Sequence, residues 1–292
     1  MRGLDISSHN KGINFNSIKN NGFEFLILRG GYTGWGTGVS YYKDTEFEYF
    51  YKQAKSKGLH VGCYWYSCAN DYAKGVAEAK FLYENCLKGK QFEFPIYIDV
   101  EEEHRQLNQR KGVTDAIIGF CEYLENLGYY VGIYANNDWF NNQIQTSRLT
   151  AYDKWLAWWR NTKPNFNFGA FGLWQNSSTF KLNGMYVDTD ESYKDYPTIM
   201  RQYNLNGFNN EEHKEESKQE TPTENKEDKK QELDNKINNM DLLTLVKMTI
   251  RGDFGNGAKR REILGNRYNE VQNQVNLNIK NKNTNWDTIK LY

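Results

Sequence analysis

Phe94-Pro95-Ile96-Tyr97-Ile98-Asp99-Val100-Glu101 is the stretch whose reading decides the fold. It is a short, mostly apolar run of aromatic and β-branched residues, which predicts a buried parallel strand. Two carboxylates one residue apart close it. Side chains at i and i+2 of a strand share a face, so Asp99 and Glu101 are expected to project together. Burial and mutual repulsion at the end of a core strand push two such pKa values apart, as acid/base chemistry at a glycosidic bond requires. Glu102 and Glu103 continue the acidic run, however, and a lone D-x-E is more often a solvated helix start or loop. The rest of the chain has to decide.

On either side, strand-like runs alternate with helical ones. Strands are predicted at Gly3–Ile6, Phe25–Arg29, His60–Ser67, Phe94–Val100, Tyr130–Ala135, Lys154–Trp159 and Phe171–Trp174. Amphipathic helices are predicted at Thr45–Lys57, Tyr72–Leu87 and Thr114–Leu127, with Gly58, Gly89 and Gly128 placed as C-terminal caps. Alternating β and α units imply a parallel sheet or barrel. After Trp155 the connections are too short for full helices. The expected α/β fold is therefore an irregular TIM-like β/α barrel whose second half has lost helices. Asp5, Asp99 and Glu101 then lie at carboxyl ends of strands, and Asp188 in Tyr186-Val187-Asp188-Thr189-Asp190 reads the same way. A parallel barrel gathers those ends on one face, where its chemistry resides.

The bulk numbers fit one large domain and a smaller one in 292 residues. Aromatics reach 15%, with 21 Tyr and 8 Trp, and mean hydropathy is −0.86. Sugar rings stack their C–H faces on Tyr and Trp, although the same residues also fill cores. Cys63, Cys68, Cys86 and Cys121 have no metal-like spacing and read as reduced thiols, and four scattered His argue against zinc. No metal and no cofactor are expected. No segment approaches transmembrane length, and Met1-Arg2-Gly3-Leu4-Asp5 has no signal-peptide core, so synthesis in the cytoplasm without a membrane partner is expected.

The zero net charge is unevenly distributed. Residues 1–208 carry 22 basic and 22 acidic side chains, residues 209–239 carry 6 and 10, and residues 240–292 carry 9 and 5. Three parts are expected: a domain at 1–208, a disordered charged linker at 209–237 and a helical domain at 238–292. A flexible tether of that length spans about 30 Å root-mean-square. Beyond it, Leu242, Leu243, Leu245, Val246 and Ile250 form an apolar helix that the loop 251–257 interrupts. Ile263, Leu264, Tyr268, Val271, Val275 and Ile279 suggest two more helices, giving a small three-helix domain. A basic tail raises nucleic-acid binding, but it holds no recognised module and its excess charge is small, so no nucleic-acid partner is expected.

Residues 1–203 resemble glycoside hydrolase family 25, the lysozymes (N-acetylmuramidases) common among phage endolysins and bacterial autolysins. Gly3-Leu4-Asp5-Ile6-Ser7 matches the first strand of that family. Leu28-Arg29-Gly30-Gly31-Tyr32, Asp44, Phe47, Ala54 and Gly58 match its second strand and first helix. Gly62-Cys63-Tyr64-Trp65-Tyr66 follows, with Trp65 where the family more often shows His, and Tyr97-Ile98-Asp99-Val100-Glu101 is the hallmark strand. Gly132-Ile133-Tyr134, Trp155-Leu156-Ala157, Leu173-Trp174-Gln175 and Val187-Asp188 complete the order, with Trp158 where the family often has a basic or polar residue. The tail resembles a short cell-wall-binding repeat of phage lysozymes through Ile250–Gly257, Arg260-Arg261, Tyr268-Asn269-Glu270-Val271-Gln272 and Val275-Asn276.

The resemblance implies cleavage of the β-1,4 bond between N-acetylmuramic acid and N-acetylglucosamine in bacterial peptidoglycan. In it, Glu101 is the general acid, Asp99 stays ionised beside the anomeric centre, and Asp5 and Asp188 orient substrate or tune the pair. Retention of configuration is implied, with the substrate's own acetamido group attacking. Tyr64, Tyr66, Tyr134, Trp174 and Gln175 are candidate groove residues, and core packing is as good a reading of each single aromatic. Arg260, Arg261, Tyr268, Gly255 and Asn256 are candidate wall contacts. The context it implies is a phage endolysin acting on the cell wall of a Gram-positive host. Two other classes stay open: a barrel glycosidase on chitin-like glycans, and a wall-binding protein without catalysis.

Overall fold

A computed structural model describes residues 1–35, 38–208, 234–235, 237–251, 254, 257–281, 283 and 288–292. The quoted stretch folds as β5 (Ile96–Asp99), which pairs in parallel with β4 (His60–Tyr66) on one side and β6 (Val131–Asn136) on the other. Its alternation sorts the two faces. Ile96, Ile98 and Val100 join the apolar layer between strands and helices, fully buried, each worth about 2 kcal/mol of transfer free energy. Tyr97 and Asp99 point the other way, into the ring of strands.

That ring is a closed barrel of eight strands in the order β1 (Arg2–Ile6), β9 (Met185–Ser192), β8 (Leu173–Leu182), β7 (Asp153–Ala157), β6, β5, β4 and β2 (Phe25–Thr33), shut by β1 pairing with β2. Seven run parallel, and β9 runs antiparallel to both β1 and β8. β3 (Tyr41–Lys43) extends the edge of β2 outside the ring. β3 was not expected, and β9 was expected only as a strand end around Asp188, not as an antiparallel strand of eight residues. β3 is only three residues long, and in β9 three carboxylates interrupt the apolar pattern that betrays a strand.

Helices α1 (Phe15–Asn20), α2 (Phe47–Ser56), α3 (Tyr72–Leu82), α4 (Glu103–Gln106), α5 (Arg110–Asn126) and α6 (Tyr196–Gln202) complete the unit. The chain from α3 widens into a π-turn at Tyr83–Leu87. Gly58, Gly89 and Gly128 have φ of 64, 74 and 83°, the left-handed caps expected. After α5 only short turns and a β8–β9 hairpin connect the strands, so the second half has indeed lost its helices.

Two features were invisible in the sequence. The barrel interior is aromatic and polar: Tyr97 and Trp155 lie 5.1 Å apart by ring centroid, and glycines on adjoining strands make the room. A Cβ at Gly132 would stand 2.4 Å from the Tyr97 ring. Toward the strands' amino ends, Tyr196 from α6 donates to Asp153 Oδ2 at 2.7 Å, where Lys194 also pairs at 3.0 Å. The second feature is the close crossing of α3 and α5. A Cβ on Gly75 would lie 2.0 Å from the Ala116 carbonyl oxygen, and one on Gly119 would lie 2.3 Å from that of Tyr72. Gly75→Ala must therefore push the helices apart. It is expected to cost about 3 kcal/mol, read as a lower midpoint in chemical unfolding with an unchanged slope.

The chain divides into two compact units, Met1–Gly207 and Phe208–Tyr292. The second contains helices Leu242–Arg251, Gly257–Leu264 and Tyr268–Lys280, with Leu245, Val246, Phe254, Ile263, Leu264, Val271 and Val275 buried. Arg267 Nη1 donates to the carbonyls of Ile237, Asn238 and Met240 at 3.0–3.2 Å. The tail had no reading in the sequence. It is held at Asn278, whose Nδ2 donates to Lys290 O at 2.7 Å. The expected linker lies largely outside the described residues.

Candidate active site

Inward-facing positions bring five carboxyl groups together: Asp5 on β1, Asp99 at the end of β5, Glu101 two residues on, and Asp188 and Asp190 on β9. Register places them. Asp5 stands opposite Asp188, Asp190 opposite Gln175, and Asp99 between Tyr66 and Tyr134. Asp188 reaches this face in a way the sequence did not suggest. It sits inside an antiparallel strand, not at a strand's carboxyl end. Asp190 was overlooked as a site residue, although a strand's two-residue period predicts that it shares the face of Asp188.

Asp5, Asp99 and Asp190 are only 7, 3 and 2% exposed, while Glu101 and Asp188 are half-buried. Burial raises all five carboxyl pKa values. Asp188 adds to the rise of Glu101 and Asp5, taking Asp5 up to about 8. Glu101 adds to the rise of Asp99, and Arg29 opposes it. Arg29 is itself held by Asp44 Oδ2 at 2.7 Å and Ser8 Oγ at 2.8 Å. So many acids around one space cannot all be ionised, and their protons belong to the group as a whole.

Neutral donors fix the walls. Tyr134 hydroxyl and Trp159 Nε1 both donate to Gln175 Oε1, at 3.1 and 3.0 Å. This leaves Gln175 Nε2 to donate to Asp5 Oδ2 at 2.9 Å. Trp155 Nε1 donates to Asp190 Oδ1 at 2.8 Å. Two tryptophans stand out on the surface, Trp35 at 69% and Trp159 at 62% exposed. Trp35 bonds Tyr66 and Trp159 bonds Gln175. Tyr64 is half-buried, its ring edge-on to Trp155 at 5.9 Å. The space between these groups suits a sugar chain, with flat apolar faces outside and acids within.

Trp174 is the exception among the groove candidates. It alternates with Gln175, so it falls on the outer face of β8, 4% exposed, where its Nε1 donates to Trp158 O at 2.8 Å. Arg29, Trp35, Trp155 and Trp159 join the site without having been singled out for it.

The turn that carries Glu101 is tightly held. Ser67 N donates to Asp99 O at 3.0 Å, Glu102 N to Gln106 Oε1 at 3.2 Å, and His104 N to Glu102 Oε1 at 3.0 Å. Glu102 is 2% exposed and Glu103 is exposed. Glu102→Gln keeps an acceptor for His104 and is expected to cost about 1 kcal/mol of stability with little change in turnover. Glu103→Gln is expected to change neither. A dead Glu103→Gln enzyme would assign the acid to the wrong carboxylate.

In the second unit Arg261 lies over the Tyr268 ring at 4.4 Å. Arg260 is not an exposed contact: it is 5% exposed and donates to Gln272 Oε1 at 3.2 Å. Gly255 and Asn256 lie outside the described residues.

Comparison with known proteins agrees with this fold. Residues 244–279 match the CW_7 repeat. The chain is 28% identical over 190 residues to an autolytic lysozyme of Clostridium acetobutylicum, covering 65% of this chain. It spans only 54% of that relative's length. Its fold resembles that of the CTP1L endolysin (TM-score 0.59, 21% identity, 69% of this chain and 70% of that one). It also resembles a family 25 glycosyl hydrolase from Bacillus anthracis (TM-score 0.57, 22% identity, 66 and 89%). The model of glycosyl hydrolases family 25 matches residues 4–185, which include Asp5, Asp99 and Glu101, and on that match this chain belongs to the family.

Proposed function

We propose that the chain is an N-acetylmuramidase that cleaves the β-1,4 bond between N-acetylmuramic acid and N-acetylglucosamine in peptidoglycan. The observation that carries this is the cluster of five raised carboxyls, with half-exposed Glu101 beside buried Asp99, at the mouth of a family 25 barrel. Glu101 donates its proton to the leaving oxygen, and the upward shift of its pKa favours the protonated form that this step uses. Asp99 supplies negative charge as the sugar becomes cationic. It is a buried carboxyl, so a positive centre beside it favours the ionised form and is stabilised by it in turn. Asp5 and Asp188 set the field in which both act, and Tyr64, Tyr66, Tyr134, Trp35 and Trp159 line the sugar path. Incubation with purified peptidoglycan should release new reducing ends, and soluble chitin oligomers should yield far fewer. Release from chitin oligomers at the higher rate would replace this reading by a chitin-directed glycosidase. No release from either substrate would leave a wall-binding protein.

The second unit serves as the wall-binding part, supported by the CW_7 match and by the resemblance to lysozyme repeats. Arg261 and Tyr268 are its leading contacts. Residues 1–208 then hydrolyse solubilised glycan alone, and the tail raises local substrate concentration on intact walls. Cleavage within 212–232 should lower lysis of intact cells at least about tenfold while sparing hydrolysis of solubilised peptidoglycan. Equal loss in both assays would make the tail part of the catalytic machinery. The combination fits an endolysin-type enzyme working on the exposed wall of a Gram-positive host, and turbidity loss of Gram-positive but not Gram-negative cells tests that.

A further inference from the structure

Asp190 is the buried acid that the mechanism above leaves unused. Its Oδ1 accepts from Trp155 Nε1 at 2.8 Å. Its Oδ2 is fully buried and meets no donor among the described residues. On the neighbouring strand β1 stands Asp5, whose register partner Asp188 lies two residues from Asp190, and the two carboxyls are hydrogen-bonded to one another. Asp5 is itself tied at Oδ2 by Gln175 Nε2 at 2.9 Å. Two carboxylates cannot bond one another without a proton between them, and a bare pair this deep would repel strongly. The more deeply buried Asp190 keeps the proton: the bond between the two raises the pKa of Asp190 and lowers that of Asp5, and with Trp155 on Oδ1 the proton sits on Oδ2.

We infer that Asp190 and Asp5 share one proton, donated by Asp190, and that Asp190 thereby acts as a positioning residue for the acid cluster. This rests on reading the cluster as a glycosidase centre. The shared proton removes one negative charge from the group and fixes the Asp5 carboxylate against Gln175. That amide in turn holds Trp159 and Tyr134. A chain of bonds therefore runs from Trp155 through Asp190, Asp5 and Gln175 to an exposed tryptophan. The groups that face the pair are Asp188 on the strand of Asp190, Glu101 beyond the end of β5, Asp99 and Tyr97 on β5 and Tyr64 on β4. Arg29, which faces Asp99 and Tyr64, is the cation among them.

Asn is the natural probe. Its amide Nδ2 can donate to Asp5 as the protonated acid does, and its carbonyl oxygen can still accept from Trp155. Asp190→Ala is expected to lower kcat on purified peptidoglycan on the order of 100-fold, and Asp190→Asn should return it to within about tenfold of wild type. Two further readouts follow the proton and need no activity. Infrared spectroscopy of the full-length protein at neutral pH should show a buried protonated carboxyl whose C=O band disappears in Asp190→Asn. Thermal unfolding gives the second. Asp190 keeps a proton in the fold that the unfolded chain releases near pH 4, so this contribution is complete at low pH and is lost as pH rises through the raised pKa of Asp190. The melting temperature of wild type should therefore fall more steeply over that window than that of Asp190→Asn.

An Asp190→Asn enzyme as damaged as Asp190→Ala would mean that a charged carboxylate is needed there, and would overturn the inference. Identical infrared spectra for wild type and Asp190→Asn would overturn it too. If Asp190→Ala does not fold, the infrared band and the melting slope of Asp190→Asn decide the matter. Wild-type protein that releases no reducing ends would refute the glycosidase reading, while those two measurements would still judge the shared proton.

Discussion

Glu101→Gln is expected to lower turnover on purified peptidoglycan by about 10²–10⁴-fold, the usual contribution of a positioned general acid. The amide keeps the size of the side chain and loses the transferable proton. Half-buried Glu101 lies beyond the end of β5, and its side chain makes no hydrogen bond or ion pair among the described residues, so the melting temperature and wall sedimentation should stay near wild type. Its pKa is raised by burial and by Asp188, so the neutral amide resembles the protonated state and should even stabilise the fold slightly at higher pH. A variant that folds, binds walls and still turns over near the wild-type rate would remove Glu101 from the mechanism.

Asp99→Asn is expected to be nearly as severe in turnover, about 10²–10³-fold, with a larger gain in stability. Asp99 is 3% exposed, and its Oδ1 meets no donor among the described residues. Burial and Glu101 hold its pKa well above the usual carboxylate range. A group with a raised folded pKa contributes stability below its unfolded pKa and loses it as pH rises. An amide is spared that loss, so Asp99→Asn should melt higher than wild type at neutral to alkaline pH. Lost activity joined to gained stability is what a strained functional group produces. Lower stability together with intact turnover would make Asp99 an ordinary core residue.

Much of the barrel was legible because its signals are local. Ile96, Ile98 and Val100 are apolar in a row, and Gly58, Gly89 and Gly128 end helices wherever they stand. The seven predicted strands all form, most with ends displaced by a few residues, although β8 shares only Leu173 and Trp174 with its predicted span and runs eight residues further. Signals that depend on a partner were not legible. β9 carries Asp188, Asp190 and Glu191. It is a strand because β1 and β8 offer it two edges, not because its own residues demand it. Gly75 and Gly119 drew no reading from the sequence, and their role appears only where α3 and α5 cross. Glu102 reads as a solvated acid, yet the turn after β5 buries it.

The site divides along the same line. The sequence alone places Asp5, Asp99 and Glu101 at strand ends, because alternation and strand polarity are properties of a single segment. It also identifies the family, through short motifs kept in order. It could not tell Trp174, which packs outside the barrel, from Trp155, which lies within it. It could not join Asp190 to Asp5 or bring Arg29, Trp35 and Trp159 to the same mouth. Those relations are set by interstrand register and barrel closure. Both arise from many long-range contacts at once, and no local stretch of chain contains them.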